Sequence, residues 1–113
     1  MSRYDVIIIG AGPGGIFAAY ELAKKAPELK VAVFEAGNSL EKRKCPIDGK
    51  KIKSCINCKT CAIMSGFGGA GAFSDGKYNI TNDFGGTLYE YIGKDTAIDL
   101  MKYVDEINLA YGG

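Results

Sequence analysis

Residues 4–15 read Tyr4-Asp5-Val6-Ile7-Ile8-Ile9-Gly10-Ala11-Gly12-Pro13-Gly14-Gly15. Val6 to Ile9 form an unbroken β-branched run stopped by Gly10, the pattern of a strand buried on both faces, here expected over residues 4–9. The glycines are followed by Ile16, Phe17, Tyr20 and Ala23, apolar at helical spacing, which predicts a helix over residues 14–26. Pro27 helps end it, because the residue before a proline is disfavoured in the helical region. Residues 30–34 (Lys-Val-Ala-Val-Phe) are then a second strand, closed by Glu35-Ala36-Gly37. A β-α-β unit of this kind has parallel strands and a right-handed crossover.

Gly10-Ala11-Gly12-Pro13-Gly14-Gly15 satisfies G-x-G-x-x-G, a string that is weak alone. Its setting makes it specific: it follows a buried strand, opens a helix, and precedes by twenty residues an acid, Glu35, at the end of the next strand. Gly10 permits the tight turn, Gly12 lets the backbone approach a pyrophosphate, and Gly15 lets helix and strand pack closely. The helix N-terminus offers unpaired N–H groups and a positive dipole end, and Pro13 or Gly14 in the first turn sacrifices no helical hydrogen bond. Glu35 can accept the hydroxyls of an adenosine ribose and would repel a 2′-phosphate, which argues against NADP. The fold class is therefore α/β: the N-terminal β-α-β of a Rossmann-like dinucleotide-binding domain.

Downstream the pattern changes. Residues 38–62 are polar and basic, with a helical turn expected around residues 40–44. Between Lys42 and Lys59 lie seven of the fourteen basic residues against Asp48 alone, a local charge of +6 that leaves −5 on the rest. Cys45, Cys55, Cys58 and Cys61 fall in the same insert. Residues 63–86 hold seven glycines in 24 residues and read as a long functional loop. A helical segment fills residues 87–113, its main helix expected to start near Thr96, where Thr96-x-x-Asp99 resembles a capping box, and to run through Ile98, Met101, Val104 and Ile107 to about Tyr111.

The whole chain has 113 residues and no histidine, which removes His-based triads, His metal ligands and a neutral-pH His switch from it. Its 16 glycines and three prolines follow no period of three, so collagen-like and proline-rich classes are excluded. The fifteen uncharged residues from Val6 to Tyr20 are broken by four glycines and a proline and are too short to span a bilayer. No membrane partner is expected, and a cytoplasmic location is the default. Net charge of +1 gives no case for nucleic acid, and the basic insert lacks the interleaved aromatics that base stacking requires.

A second glycine-rich stretch, Ser65-Gly66-Phe67-Gly68-Gly69-Ala70-Gly71-Ala72-Phe73-Ser74-Asp75-Gly76-Lys77, precedes Tyr78-Asn79-Ile80-Thr81-Asn82. Together with the N-terminal fingerprint, its proline, and the Lys44-Cys45-Pro46 and Cys55-x-x-Cys58-x-x-Cys61 patterns, this chain resembles the N-terminal part of uncharacterised FAD-dependent dehydrogenases of the two-dinucleotide-binding-domain flavoprotein class, from residue 3 to residue 111. The resemblance implies that Gly10, Gly12, Pro13, Gly14 and Gly15 hold the FAD pyrophosphate and Glu35 its ribose. It also implies that Arg43 lies near the nucleotide, and that Gly69, Ala70, Gly71, Ser74 and Lys77 lie near the flavin or its phosphates. Tyr78, Lys77 and the cysteines are the only acid–base candidates near the expected ring, and the catalytic side chains are expected elsewhere, in the remainder of the flavoprotein chain. A small-molecule substrate or electron partner is expected, whose identity these residues do not name.

The cysteines leave four readings open, one of them being structural cysteines with no ligand. A compact C-x2-C-x2-C run with a separate Cys-Pro is similar to the ligand spacing of four-iron ferredoxins, zinc could take all four thiolates, and a C-x-x-C pair beside a flavin could be redox-active. Two other functions also stand beside the flavoprotein reading: a non-catalytic nucleotide- or metal-binding module, and the NAD-binding domain of a dehydrogenase. The second glycine loop argues against the latter, because a plain NAD-binding half continues with a third strand and helix.

Overall fold

The computed structural model describes residues 3–113. They form two compact units that divide after Ser74, inside the second glycine-rich stretch.

The first unit is built on strand β1 (Val6–Ile9), helix α1 (Pro13–Lys25) and strand β2 (Val31–Phe34). The strands are parallel, with Val6 opposite Val31, Ile7 opposite Ala32, Ile8 opposite Val33 and Ile9 opposite Phe34. An α/β unit with a Rossmann-like β-α-β is thus what the chain folds into. The pairing is continued at one end by Lys30, whose carbonyl accepts from the Asp5 and Val6 amides and whose own N–H donates to Asp5 Oδ2 at 2.8 Å. At the other end the Gly10 amide donates to the Phe34 carbonyl at 2.7 Å. Pro13 is the first helical residue of α1, one earlier than its sequence pattern implies, where its missing N–H costs nothing.

Side chains alternate along β1. Ile8 faces α1: a Cβ placed on Gly15 would come 3.2 Å from Ile8 Cγ2 and collide with the Gly10 carbonyl. Glycine at position 15 is what lets helix and strand close. The opposite face is open, with Ile7 58 %, Ile9 81 % and Phe34 55 % exposed. The expectation of a strand buried on both faces is therefore corrected: α1 covers one face of a two-stranded sheet, and the other carries bare isoleucine and phenylalanine.

Beyond β2, a single 3-10 turn (Leu40–Lys42) opens the basic insert, shorter than the turn expected there. A second 3-10 turn (Ala70–Phe73) gives the glycine-rich loop some regular structure.

The second unit holds helices α2 (Leu88–Ile92) and α3 (Lys94–Ala110). Gly93, at φ +84°, ends the one and caps the other, and the Ala97 amide donates to its carbonyl at 3.1 Å. Helix α3 therefore begins two residues before Thr96, and the expected capping box lies inside the helix. Ala97 is fully buried, and Ile98, Met101, Val104 and Ile107 follow it at helical spacing, each partly covered. Among the described residues, no helix is long and apolar enough to cross a membrane.

Candidate functional site

The site grows from the turn between β1 and α1. Gly10 adopts φ +100°, which a side-chain-bearing residue rarely does, and reverses the chain as it leaves the strand. Gly12 precedes the helix in extended conformation, and α1 has no side-chain cap, no acid in its first turn, and Lys24 and Lys25 in its last. The first N–H groups of any helix lack intrahelical acceptors, and the dipole adds partial positive charge there. The arrangement is an anion site made of backbone.

Ala11, 1 % exposed, ties this turn to its surroundings. Its N–H donates to Glu35 Oε2 at 2.8 Å, and its carbonyl accepts from the Gly68 amide at 2.7 Å. The other Glu35 oxygen, Oε1, accepts from the Gly37 amide at 2.8 Å. These two N–H donors, Ala11 first, hold the Glu35 carboxyl below the usual carboxylate range, with the Arg43 charge adding to them and partial desolvation opposing. Each oxygen keeps a further lone pair, so an ionised Glu35 can brace the turn and still accept a hydroxyl.

The second glycine-rich stretch lies directly against this turn. A Cβ on Gly69 would meet Pro13 Cδ at 3.1 Å and Gly12 Cα at 3.2 Å, and one on Gly71 would come 3.9 Å from Pro13 Cγ. Gly37 and Gly66 touch through their backbones, since a Cβ on Gly37 would lie 2.5 Å from Gly66 Cα. The Phe67 amide donates to the Asn38 carbonyl at 3.0 Å. Nothing in the spacing alone announces the Gly37–Gly66 contact or the sharing of Ala11; an otherwise unexplained glycine just after Glu35 was the available signal.

The family comparison falls on these same elements. The Thi4 family model matches residues 1–41. That span contains β1, the glycine turn, α1, β2 and Glu35. A thiamine thiazole synthase of Yarrowia lipolytica is 64 % identical over 33 residues, 29 % of this chain and 10 % of its own length. The thiamine thiazole synthase of Fusarium oxysporum is 57 % identical over 35 residues, 31 % of this chain and 11 % of its own. An uncharacterised protein of Clostridium beijerinckii is 39 % identical over 71 residues, 63 % of this chain and 13 % of its own. The chain therefore spans about a tenth of the length of the curated relatives it matches. No solved structure matches it.

The remaining residues of the expected site have the following surroundings. Arg43 is 4 % exposed, and its guanidinium is occupied by loop carbonyls, donating from Nε to Ala62, from Nη1 to Phe67 and Gly69, and from Nη2 to Ile63, at 2.7–2.9 Å. It is a buried clamp on the loop backbone. Ser74 ends the second 3-10 turn, its amide donating to Gly71 at 3.2 Å, while Ala70 lies within that turn. Lys77 belongs to the second unit, where its ammonium stands 3.6 Å from Asp75 on an exposed surface. In the same unit, burial and then the Asp105 charge push the Tyr78 hydroxyl up, which keeps it protonated at neutral pH.

The cysteines are not assembled into a ligand set. All four are free and exposed, and among the described residues no three Cys, Asp, Glu or His side chains are grouped to hold a metal ion. Their segment has no helix or strand to impose such a geometry. Its local order comes from short-range bonds: Asp48 Oδ1 accepts from the Lys50 and Ile52 amides, and Cys55 Sγ accepts from the Asn57 amide at 3.4 Å. Neither a zinc site nor an iron–sulfur site fits these positions.

Proposed function

We propose that this chain is the FAD-binding segment of a flavin-dependent enzyme, with the dinucleotide held at the turn between β1 and α1. The observation that carries this reading is the Ala11 junction. One peptide group links the fingerprint turn, the acid that ends β2, and the second glycine-rich stretch. Side-chain-free backbone lines that junction at Gly12 and Gly69, which face each other closely: a Cβ on Gly69 would meet Gly12 Cα at 3.2 Å, and one on Gly12 would lie 4.0 Å from Gly69 Cα. Gly12 and the first turn of α1 would bind the phosphates, and Glu35 would accept the ribose hydroxyls. The bound flavin would supply two-electron redox chemistry, and this chain would supply binding, orientation and electrostatics.

A dehydrogenase is the activity implied by the resemblance of the whole chain, which rests on the fingerprint, the cysteine pattern and the second glycine-rich stretch together. Membership of the thiazole-synthase group is the second reading, favoured by the Thi4 match, which covers only the β-α-β unit. Both place an adenine dinucleotide on the same turn. The remainder of a longer flavoprotein chain would supply the substrate site and the catalytic side chains in either case, and a cytoplasmic setting suits the four free thiols.

Titration of the chain with FAD, read by quenching of flavin fluorescence, tests the reading. Gly12→Val should abolish binding while leaving the far-ultraviolet circular dichroism of the β-α-β unit intact. Equal FAD affinity in this variant would refute the site, and preference for NAD over FAD would favour a nicotinamide-binding domain.

A further inference from the structure

Arg43 reaches backbone 19 to 26 residues further along the chain. Its Nε and Nη2 donate to Ala62 and Ile63, closing the base of the cysteine-bearing loop that starts immediately after it. Its Nη1 donates to Phe67 at 2.7 Å and Gly69 at 2.9 Å, within the second glycine-rich stretch. The Phe73 ring lies under the guanidinium, 4.8 Å from its centroid, in cation–π geometry. Gly66 makes room for the arginine stem: a Cβ there would come 2.6 Å from Arg43 Cδ and 2.8 Å from the Asn38 carbonyl.

The consequence reaches the phosphate turn. The peptide groups that Arg43 holds by their carbonyls flank Gly68, whose amide donates to Ala11, and include Gly69, which abuts Gly12 and Pro13. A planar guanidinium offers five N–H donors in a fixed fork and here spends four of them on carbonyls from four residues. An ammonium carries the same charge but has only three donors on one atom and cannot span that set.

We propose that Arg43 is a positioning residue for dinucleotide binding: it sets the wall of the phosphate turn through the carbonyls of Phe67 and Gly69, without touching the ligand. The proposal rests on the FAD-binding reading above. It separates the geometry of the guanidinium from its charge, which a direct phosphate contact would not do.

The test compares the intact chain with Arg43→Lys and Arg43→Ala. FAD affinity should fall about tenfold or more in both, as expected for lost charged hydrogen bonds to the backbone. The salt dependence of binding should stay that of the unsubstituted chain. In the absence of FAD, amide hydrogen exchange should accelerate at Phe67, Gly68 and Gly69 and stay unchanged across β1 and β2. Gly66→Ala, which displaces the arginine stem, should reproduce the loss. If Arg43→Lys binds FAD as the unsubstituted chain does and only Arg43→Ala is weakened, Arg43 acts by charge and the proposal is overturned. Should both Arg43 variants fail to fold, Phe73→Leu decides, because it removes only the ring. A few-fold weaker affinity with faster loop exchange supports the proposal, and unchanged affinity with faster loop exchange overturns it. Absence of FAD binding by the unsubstituted chain overturns the underlying reading, whereas intact binding that neither Arg43 variant weakens overturns the role of Arg43 alone.

Discussion

The Ala11 peptide group gives its N–H to Glu35 and its carbonyl to Gly68, so the protonation of one carboxyl bears on the shape of the whole turn. Glu35 is held below the ordinary carboxylate range by the Ala11 and Gly37 amides, which favours its ionised form in the folded chain. A carboxyl depressed in this way adds stability above its unfolded pKa and loses it as pH falls through the lower folded value. We expect the contribution of Glu35 to the thermal midpoint of the first unit to be constant from neutrality down to about pH 4, and to decline below that. Glu35→Gln should start from a lower midpoint at neutral pH and show a shallower acid decline; parallel acid profiles would show that Glu35 does not brace the turn. Gly10, Gly12 and Gly15 were legible as residues because their spacing and setting are tied to a specific backbone path. Arg43 was not. A basic residue in a basic insert reads as surface charge, and only the fold shows that four carbonyls surround it.

Among the elements, β1, α1 and β2 announce themselves because a β-branched run, a helical apolar stripe and a proline stop agree with one another. The helical segment was less legible, since Thr96-x-x-Asp99 is a plausible start signal and glycine caps are less distinctive than serine or threonine caps. Gly93 decides the matter by its left-handed φ of +84°, which lets α2 end and α3 begin without an intervening loop. Gly93→Ala should cost the second unit about 1–3 kcal/mol, the penalty of a Cβ at positive φ with ψ 155°, in urea unfolding followed by circular dichroism. No change in the urea midpoint would mean that the helix junction relaxes freely.

At the scale of the molecule, little is fully buried: among the described residues, Ala11 and Ala97 are the only buried apolar side chains. The sheet face bearing Ile7, Ile9 and Phe34 is open, whereas doubly wound α/β proteins cover both faces. The sequence pattern of β1 anticipated burial on both sides, because an all-apolar run encodes the environment of a complete sheet. The cysteines illustrate the opposite limit: ligand-like spacing is visible in sequence, but an insert without regular elements does not bring the thiols together. We expect the chain to bind an apolar dye such as ANS, and Ile9→Lys to reduce that fluorescence without altering circular dichroism; undiminished dye binding would place the exposed apolar surface elsewhere. The central claim, that an adenine dinucleotide sits on the turn between β1 and α1, is tested most directly by amide chemical-shift mapping during an FAD titration. Shifts concentrated at Ala11, Gly12, Gly14, Gly15 and Gly69 are predicted; saturable binding that leaves these amides unmoved and shifts others would contradict it.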